Sequence, residues 1–111
     1  MSRSTQEVLQ HHVESLAAQD VEAIVSDYTD DASVIGQDAT FTGTAALRTF
    51  FTDLLKAMPG IMDVLTVDRT EIIGEVAYIV WRAPGFSDLG TDTFVVRDGR
   101  IVAQTVTMQR A

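Results

Sequence analysis

The chain has 111 residues, 46% hydrophobic and 22% charged, with 8 Lys and Arg against 16 Asp and Glu, a net charge of -8. That length suits one domain over residues 1–111 with a single core, and the composition is unlike that of a disordered chain. The acidic balance argues against nucleic acid and anionic membrane surfaces as partners, and no apolar run approaches the ~20 residues of a membrane span. The absence of cysteine removes disulfides, thiolate chemistry and zinc–cysteine sites.

MSRSTQEVLQ has no apolar stretch of the secretory kind, so a cytoplasmic protein is the expectation. Ser4 or Thr5 opens a first helix, on which Val8, Leu9, His12, Val13, Leu16 and Ala17 form one stripe. His11 and His12 are neighbours, about 100° apart on a helix, and cannot jointly chelate a metal well; His11 is expected in solvent. Asp20 caps a second helix that buries Val21, Ile24, Val25 and Tyr28 and ends at Thr29-Asp30-Asp31, with both acids in solvent. Ala32 to Ile35 is a short strand, and Gly36 to Thr40 is a loop or hairpin. Thr44 caps a third helix to Ala57, with Leu47, Phe50, Phe51, Leu54 and Leu55 on its buried side, and Pro59-Gly60 stops it.

From there the hydrophobic period becomes that of strands. Ile61 to Ile73 reads as one long strand, Gly74-Glu75 as a turn, and Val76 to Ala83 as a second strand rich in β-branched and aromatic residues. Pro84 to Gly90 is a loop, Thr91 to Val96 a third strand, Arg97-Asp98-Gly99 a tight turn, and Arg100 to Gln109 the last strand. The order gives an α+β fold: three helices, a short hairpin between the second and third, and a four-stranded antiparallel meander wrapped on the helices.

Some polar residues fall on apolar faces. Asp92 shares a strand face with Phe94 and Val96. In a dry setting its carboxyl resists ionisation and can donate a hydrogen bond; the alternative is a solvated strand end or an arginine partner. Gln104 shares a face with Val102, Val106 and Met108, opposite Ile101, Ala103, Thr105 and Thr107. A buried amide left unpaired costs ~1–3 kcal/mol, so Gln104 needs either a ligand or a partner in the core or at a subunit seam. His12 is a satisfied core histidine or, if it faces a pocket, a proton-transfer group near neutral pH. Trp81 is expected inward, because Arg82 shares the opposite face with Tyr78. Met58, Met62 and Met108 read as core and pocket filler.

The layout, with AAQDVEAIVSDYTDDASV near the start and FVVRDGRIV near the end, resembles the nuclear transport factor 2-like superfamily over nearly the whole chain. Within it the chain looks most like SnoaL-like polyketide cyclases and ketosteroid isomerases. The resemblance implies a cone-shaped cavity between sheet and helices, and a homodimer through the outer face of the sheet. Carried over residue by residue, His12 stands where the isomerases keep an oxyanion tyrosine, Tyr28 where a tyrosine supports that site from behind, and Asp92 where they keep a protonated aspartic acid that donates to the substrate oxygen. The place of their carboxylate base falls at Gly36; Asp38, two residues on, shares its face if the strand continues. An epoxide-hydrolase pattern fits less well, since Val106 holds the place of its acidic residue.

The implied activity is proton transfer next to a carbonyl on a small apolar, oxygen-bearing molecule, as in isomerisation, cyclisation or dehydration. It needs neither cofactor nor metal. Asp92, His12 and Asp38 would act on the proton or the oxygen. Tyr28, Gln104, Trp81, Phe94 and Met108 would orient and contain the substrate. A ligand-binding or dimerisation module without turnover is the alternative, because Gly36 removes the family's base.

Overall fold

Ser4 starts helix α1 (Thr5–Ala17) through a reciprocal cap: its hydroxyl accepts from the Glu7 backbone N–H at 3.1 Å, and its own N–H donates to Glu7 Oε1 at 2.8 Å. The computed structural model describes residues 2–110. Gln19 turns the chain with a positive φ of 57°, and Asp20 accepts from the Ala23 N–H at 3.1 Å to cap α2 (Val21–Ser26). Strand β1 (Tyr28–Ile35) follows almost at once, then β2 (Thr40–Thr42), α3 (Thr44–Ala57), the single turn α4 (Ile61–Val64), β3 (Thr66–Ile73), β4 (Val76–Ala83), β5 (Ser87–Arg97) and β6 (Arg100–Arg110). The protein is an α+β fold with a curved sheet, as the sequence implies.

The differences lie in how the elements join. The sheet has six strands in the order β2-β1-β6-β5-β4-β3, so the short hairpin and the meander are one mixed sheet. The seam is a parallel pairing of β1 with β6, Val34 opposite Gln104. Tyr28, Asp30 and Asp31 belong to β1 and not to the end of the second helix. Gly43, with φ 92°, takes the position before α3 that Thr44 was expected to fill. Residues 61–64 are helical, so the strand expected from Ile61 begins at Thr66. The loop expected up to Gly90 is mostly strand, because β5 already pairs with β6 from Ser87 onward.

A bulge corrects one face assignment. Val95 and Val96 are neighbours on β5, yet they pair with Ala103 and Ile101, leaving Val102 as an extra residue on β6. The bulge reverses the alternation there. Ile101, expected on the outer face, is buried in the core, while Val102 is only half-buried. Beyond it the expected pattern resumes, with Gln104, Val106 and Met108 turned inward. The Arg97–Arg100 hairpin matches its sequence: Asp98 and Gly99 both have positive φ, 53° and 79°, the backbone that a two-residue turn with the native strand twist requires.

The core packs α1, α2 and α3 against the sheet through Val8, Ile24, Val34, Leu47, Phe51 and Ile101, all essentially sealed. Edge strand β3 is exposed along nearly its whole length and carries Asp68, Arg69 and Glu71, charges that discourage pairing with another sheet. No helix among the described residues is long and apolar enough to cross a membrane.

Candidate functional site

Phe50, Leu54 and Leu55 lie on the side of α3 expected to be buried, yet each stays half-exposed. The space they face is a cavity of ≈ 540 Å³ between the helices and the concave side of the sheet. Helices α1, α3 and α4 supply apolar wall, including Leu16, Phe51 and Ile61. Strands β4, β5 and β6 supply Trp81, Asp92, Phe94, Gln104, Val106 and Met108, and the β1–β2 connection supplies Gly36, Gln37 and Asp38 at the rim. A largely apolar hollow with a few convergent polar groups is the usual form of a small-molecule site.

The polar groups on the inner wall are joined. The register sets Asp92 opposite Val106, with Gln104 opposite Phe94, so Gln104 and Asp92 are diagonal neighbours on one face. Gln104 Nε2 donates to Asp92 Oδ2 at 2.8 Å, and Trp81 Nε1 donates to Asp92 Oδ1 at 2.9 Å. The Tyr28 hydroxyl donates to Gln104 Oε1. Each donor thus fixes the next acceptor: the Tyr28 bond orients the amide, and the amide orients the carboxyl. Burial pushes the Asp92 carboxyl above the ordinary carboxylate value, outweighing the opposite pull of the Trp81 and Gln104 donors. Burial, helped by the nearby Asp92 and Asp27 charges, raises the Tyr28 phenol well above its usual range, so Tyr28 stays a donor.

Gly90 is what allows Trp81 this position. The two are cross-strand partners, and a Cβ on Gly90 would lie 2.1 Å from the indole ring. The indole lies across a backbone that has no side chain and turns its N–H to Asp92.

His12 stands on α1 in an aromatic cage, edge-on to Tyr28, Phe51 and Phe94 with ring centroids 5.3–5.9 Å apart. It is buried and lines the cavity. Burial lowers its pKa from 6.5 to about 4 against the opposing attraction of Asp27, so the ring is neutral at neutral pH. Its Nδ1 is the one buried side-chain polar atom without a hydrogen-bond partner among the described residues.

The structure therefore brings Asp92, His12, Gln104, Trp81, Phe94 and Met108 to one cavity wall. Two sequence candidates are not on that inner wall. Tyr28 is not a wall residue; it is buried behind Gln104 and acts on the cavity only through it. Asp38 is at the rim, exposed, because β1 ends at Ile35 and a bend at Gln37-Asp38 carries it out of the strand face that would have aimed it inward. His11, expected in solvent, is half-buried with Nδ1 bonded to both oxygens of Asp27 at 2.7 and 2.9 Å. Asp27 itself was not legible as a site residue: a fully buried carboxylate after α2, it also accepts from Arg3 Nη1 at 3.0 Å. Nothing in its local sequence marks it, since residues distant in sequence, Arg3 and His11 among them, cover it. No group of three or more His, Asp or Glu side chains among the described residues is placed to hold a metal ion.

The linkage at Asp92 has a sign. A carboxyl whose folded-state pKa is raised is favoured in its protonated form; that stabilisation is present below about pH 3.8 and is lost as pH rises through the folded-state value. Asp92→Asn, which cannot ionise, should therefore gain on the wild type as pH rises from 3.8. Urea midpoints across that range check this. A constant gap between the two proteins would contradict the raised pKa.

An α+β cone with one apolar hollow and a short polar chain on its inner wall defines a small-molecule pocket protein. The chain belongs to the SnoaL-like domain family, which it matches over residues 9–104. No curated protein sequence matches it. Among solved structures it is similar to a provisionally assigned polyketide cyclase from Sinorhizobium meliloti (19% identity, TM-score 0.77, covering 90% of this chain and 93% of that one). It is also similar to a SnoaL-like protein of unknown function from Burkholderia thailandensis (17%, 0.79, 94% and 93%). A third similar structure is an epoxide hydrolase/cyclase-like enzyme of pyran ring formation in the polyether salinomycin (17%, 0.74, 94% and 89%). At these identities the likeness is one of fold.

Proposed function

We propose that the cavity binds a small, mostly apolar molecule bearing a carbonyl oxygen, and that the protein moves a proton at the carbon next to that carbonyl. The observation that supports this most is the Asp92 carboxyl: raised in pKa, held by Trp81 and Gln104, and presented to a largely apolar hollow. In its protonated form Asp92 donates to the oxygen as negative charge develops there. Because the donors that hold it stand in the wall before any ligand arrives, little reorganisation is needed at the moment of reaction. Cyclisation, isomerisation and dehydration all pass through such an enol or enolate.

The test is hydrogen exchange at the α-carbon of apolar ketones in deuterated water, followed by NMR. The wild type should accelerate exchange. Asp92→Leu should lose about 10²-fold or more of that acceleration, the usual scale of one acid–base group, while Asp92→Asn, which keeps an N–H donor, should retain part of it. Equal exchange by wild type and Asp92→Leu would refute this role for Asp92. The exposed position of Asp38 favours a second reading, a binding protein without turnover; ketones that stabilise the fold yet show no accelerated exchange would support that one.

A further inference from the structure

Asp27 is the buried carboxylate that the cavity chemistry leaves unused. It sits behind His12, on the side away from the hollow. Oδ1 accepts from Arg3 Nη1 at 3.0 Å and lies 2.7 Å from His11 Nδ1, while Oδ2 lies 3.8 Å from His12 Nδ1. Arg3 also donates through Nη2 to the Gly99 carbonyl at 3.0 Å, which anchors it to the β5–β6 turn. The groups around His12 are thus Asp27 after α2, His11 on α1, the Tyr28 phenol on β1, and the rings of Phe51 on α3 and Phe94 on β5.

We propose that Asp27 is a positioning residue for His12: its carboxylate selects the tautomer with the proton on Nδ1 and leaves the Nε2 lone pair as the proton acceptor of the cavity wall. At 3.8 Å the contact is too long for a hydrogen bond, so the selection is electrostatic. An Nδ1–H turned to a carboxylate is attracted; an Nδ1 lone pair in the same place is repelled. The ring lines the cavity while its Nδ1 edge is sealed against Asp27, which makes Nε2 the nitrogen a ligand can reach.

The inference rests on reading the cavity as the ligand site, and it supplies the base that neither Gly36 nor the exposed Asp38 provides. Nε2 takes the proton from the carbon next to the ligand carbonyl. The C–H electron pair forms the new C=C bond, and the carbonyl π pair moves onto the oxygen, which takes the hydrogen bond of protonated Asp92. Nε2 then returns the proton to the same carbon or to a conjugated one. While it holds the proton His12 is an imidazolium, and Asp27 faces the new charge.

A purely structural Asp27, tying the start of α1 to the end of α2, would leave the tautomer of His12 indifferent to the Asp27 charge. The experiment is long-range ¹H–¹⁵N NMR of the imidazoles in the ligand-free protein. The expected result near neutral pH is His12 protonated at Nδ1 and unprotonated at Nε2. Arg3→Met, which uncovers the Asp27 charge, should raise the pKa of His12 above its value of about 4. Asp27→Asn should bring in the Nε2–H tautomer. An Nε2–H tautomer in the wild type, or a His12 pKa unmoved by Arg3→Met, would overturn the proposal. If Asp27→Asn does not fold, the wild-type spectrum and Arg3→Met still decide. Because no ligand is present, these results stand apart from the ketone-exchange test: loss of exchange activity with His12 behaving as expected would count against the proposed function alone.

Discussion

Lowering the pH from 6.5 to 4 should cost the protein about 3 kcal/mol of folding stability through His12 alone. The folded-state pKa is depressed, so in this window the unfolded chain takes the proton first. The contribution of the neutral, buried ring is fully present above 6.5 and is lost as pH falls towards 4. Asp92 works in the opposite direction over part of the same range, so the wild-type curve alone mixes the two. His12→Phe separates them, since a phenyl ring can occupy the cage of Tyr28, Phe51 and Phe94 and cannot titrate. In urea unfolding, His12→Phe should gain about 3 kcal/mol on the wild type across that window. Parallel curves would mean that His12 is not buried in its neutral form. The proposed chemistry gives a reason to keep such a residue: the environment that makes the fold acid-sensitive also keeps the imidazole unprotonated at neutral pH.

Gly90→Ala should be the most damaging single methyl group in the sheet. Its Cβ would come within 2.1, 2.2 and 2.6 Å of three atoms of the Trp81 indole, separations that backbone adjustment cannot relieve. The indole must leave, and its bond to Asp92 goes with it. Overpacking of this kind costs about 1–3 kcal/mol and occasionally more, and the loss here belongs at the upper end, a fall in Tm of roughly 10 °C. Trp81 is the sole tryptophan of the chain, so its fluorescence reports the displacement without ambiguity: the emission should move to longer wavelength as the ring enters water. Unchanged emission and Tm would mean that the indole does not lie across Gly90. A ketone-exchange defect in this variant would arise because Asp92 has lost one of the two donors that orient it.

The inner wall was legible because strand alternation is a local rule. Asp92, Phe94, Gln104 and Met108 can be placed on inward faces by counting in twos, and Trp81 by noting that Arg82 must face out. Counting failed where one residue was added. The Val102 bulge reverses the faces of Ile101 and Val102 and leaves no mark in the sequence. Tyr28 was misplaced for a related reason: the apolar spacing Val21, Ile24, Val25, Tyr28 continues smoothly, but the chain leaves the helix at Ser26 and pairs β1 with β6. That pairing joins residues about 70 positions apart, which no local pattern encodes. Asp38 and Asp27 show the same limit from opposite sides. One looks like a strand-face carboxylate and is carried to the rim by a bend. The other looks like an ordinary acid after a short helix and is sealed against α1, where His11, His12 and Arg3 surround it.

On the proposed function, an oxygen-bearing apolar molecule sits in this cavity against Asp92. The indole N–H of Trp81 donates to that carboxyl, and its resonance is the only one of its kind in a ¹H–¹⁵N spectrum. Titration with an apolar ketone should shift it progressively in the wild type, and the shift should weaken sharply in Asp92→Leu. An indole resonance that stays fixed while ketone binding is visible elsewhere in the spectrum would contradict the account.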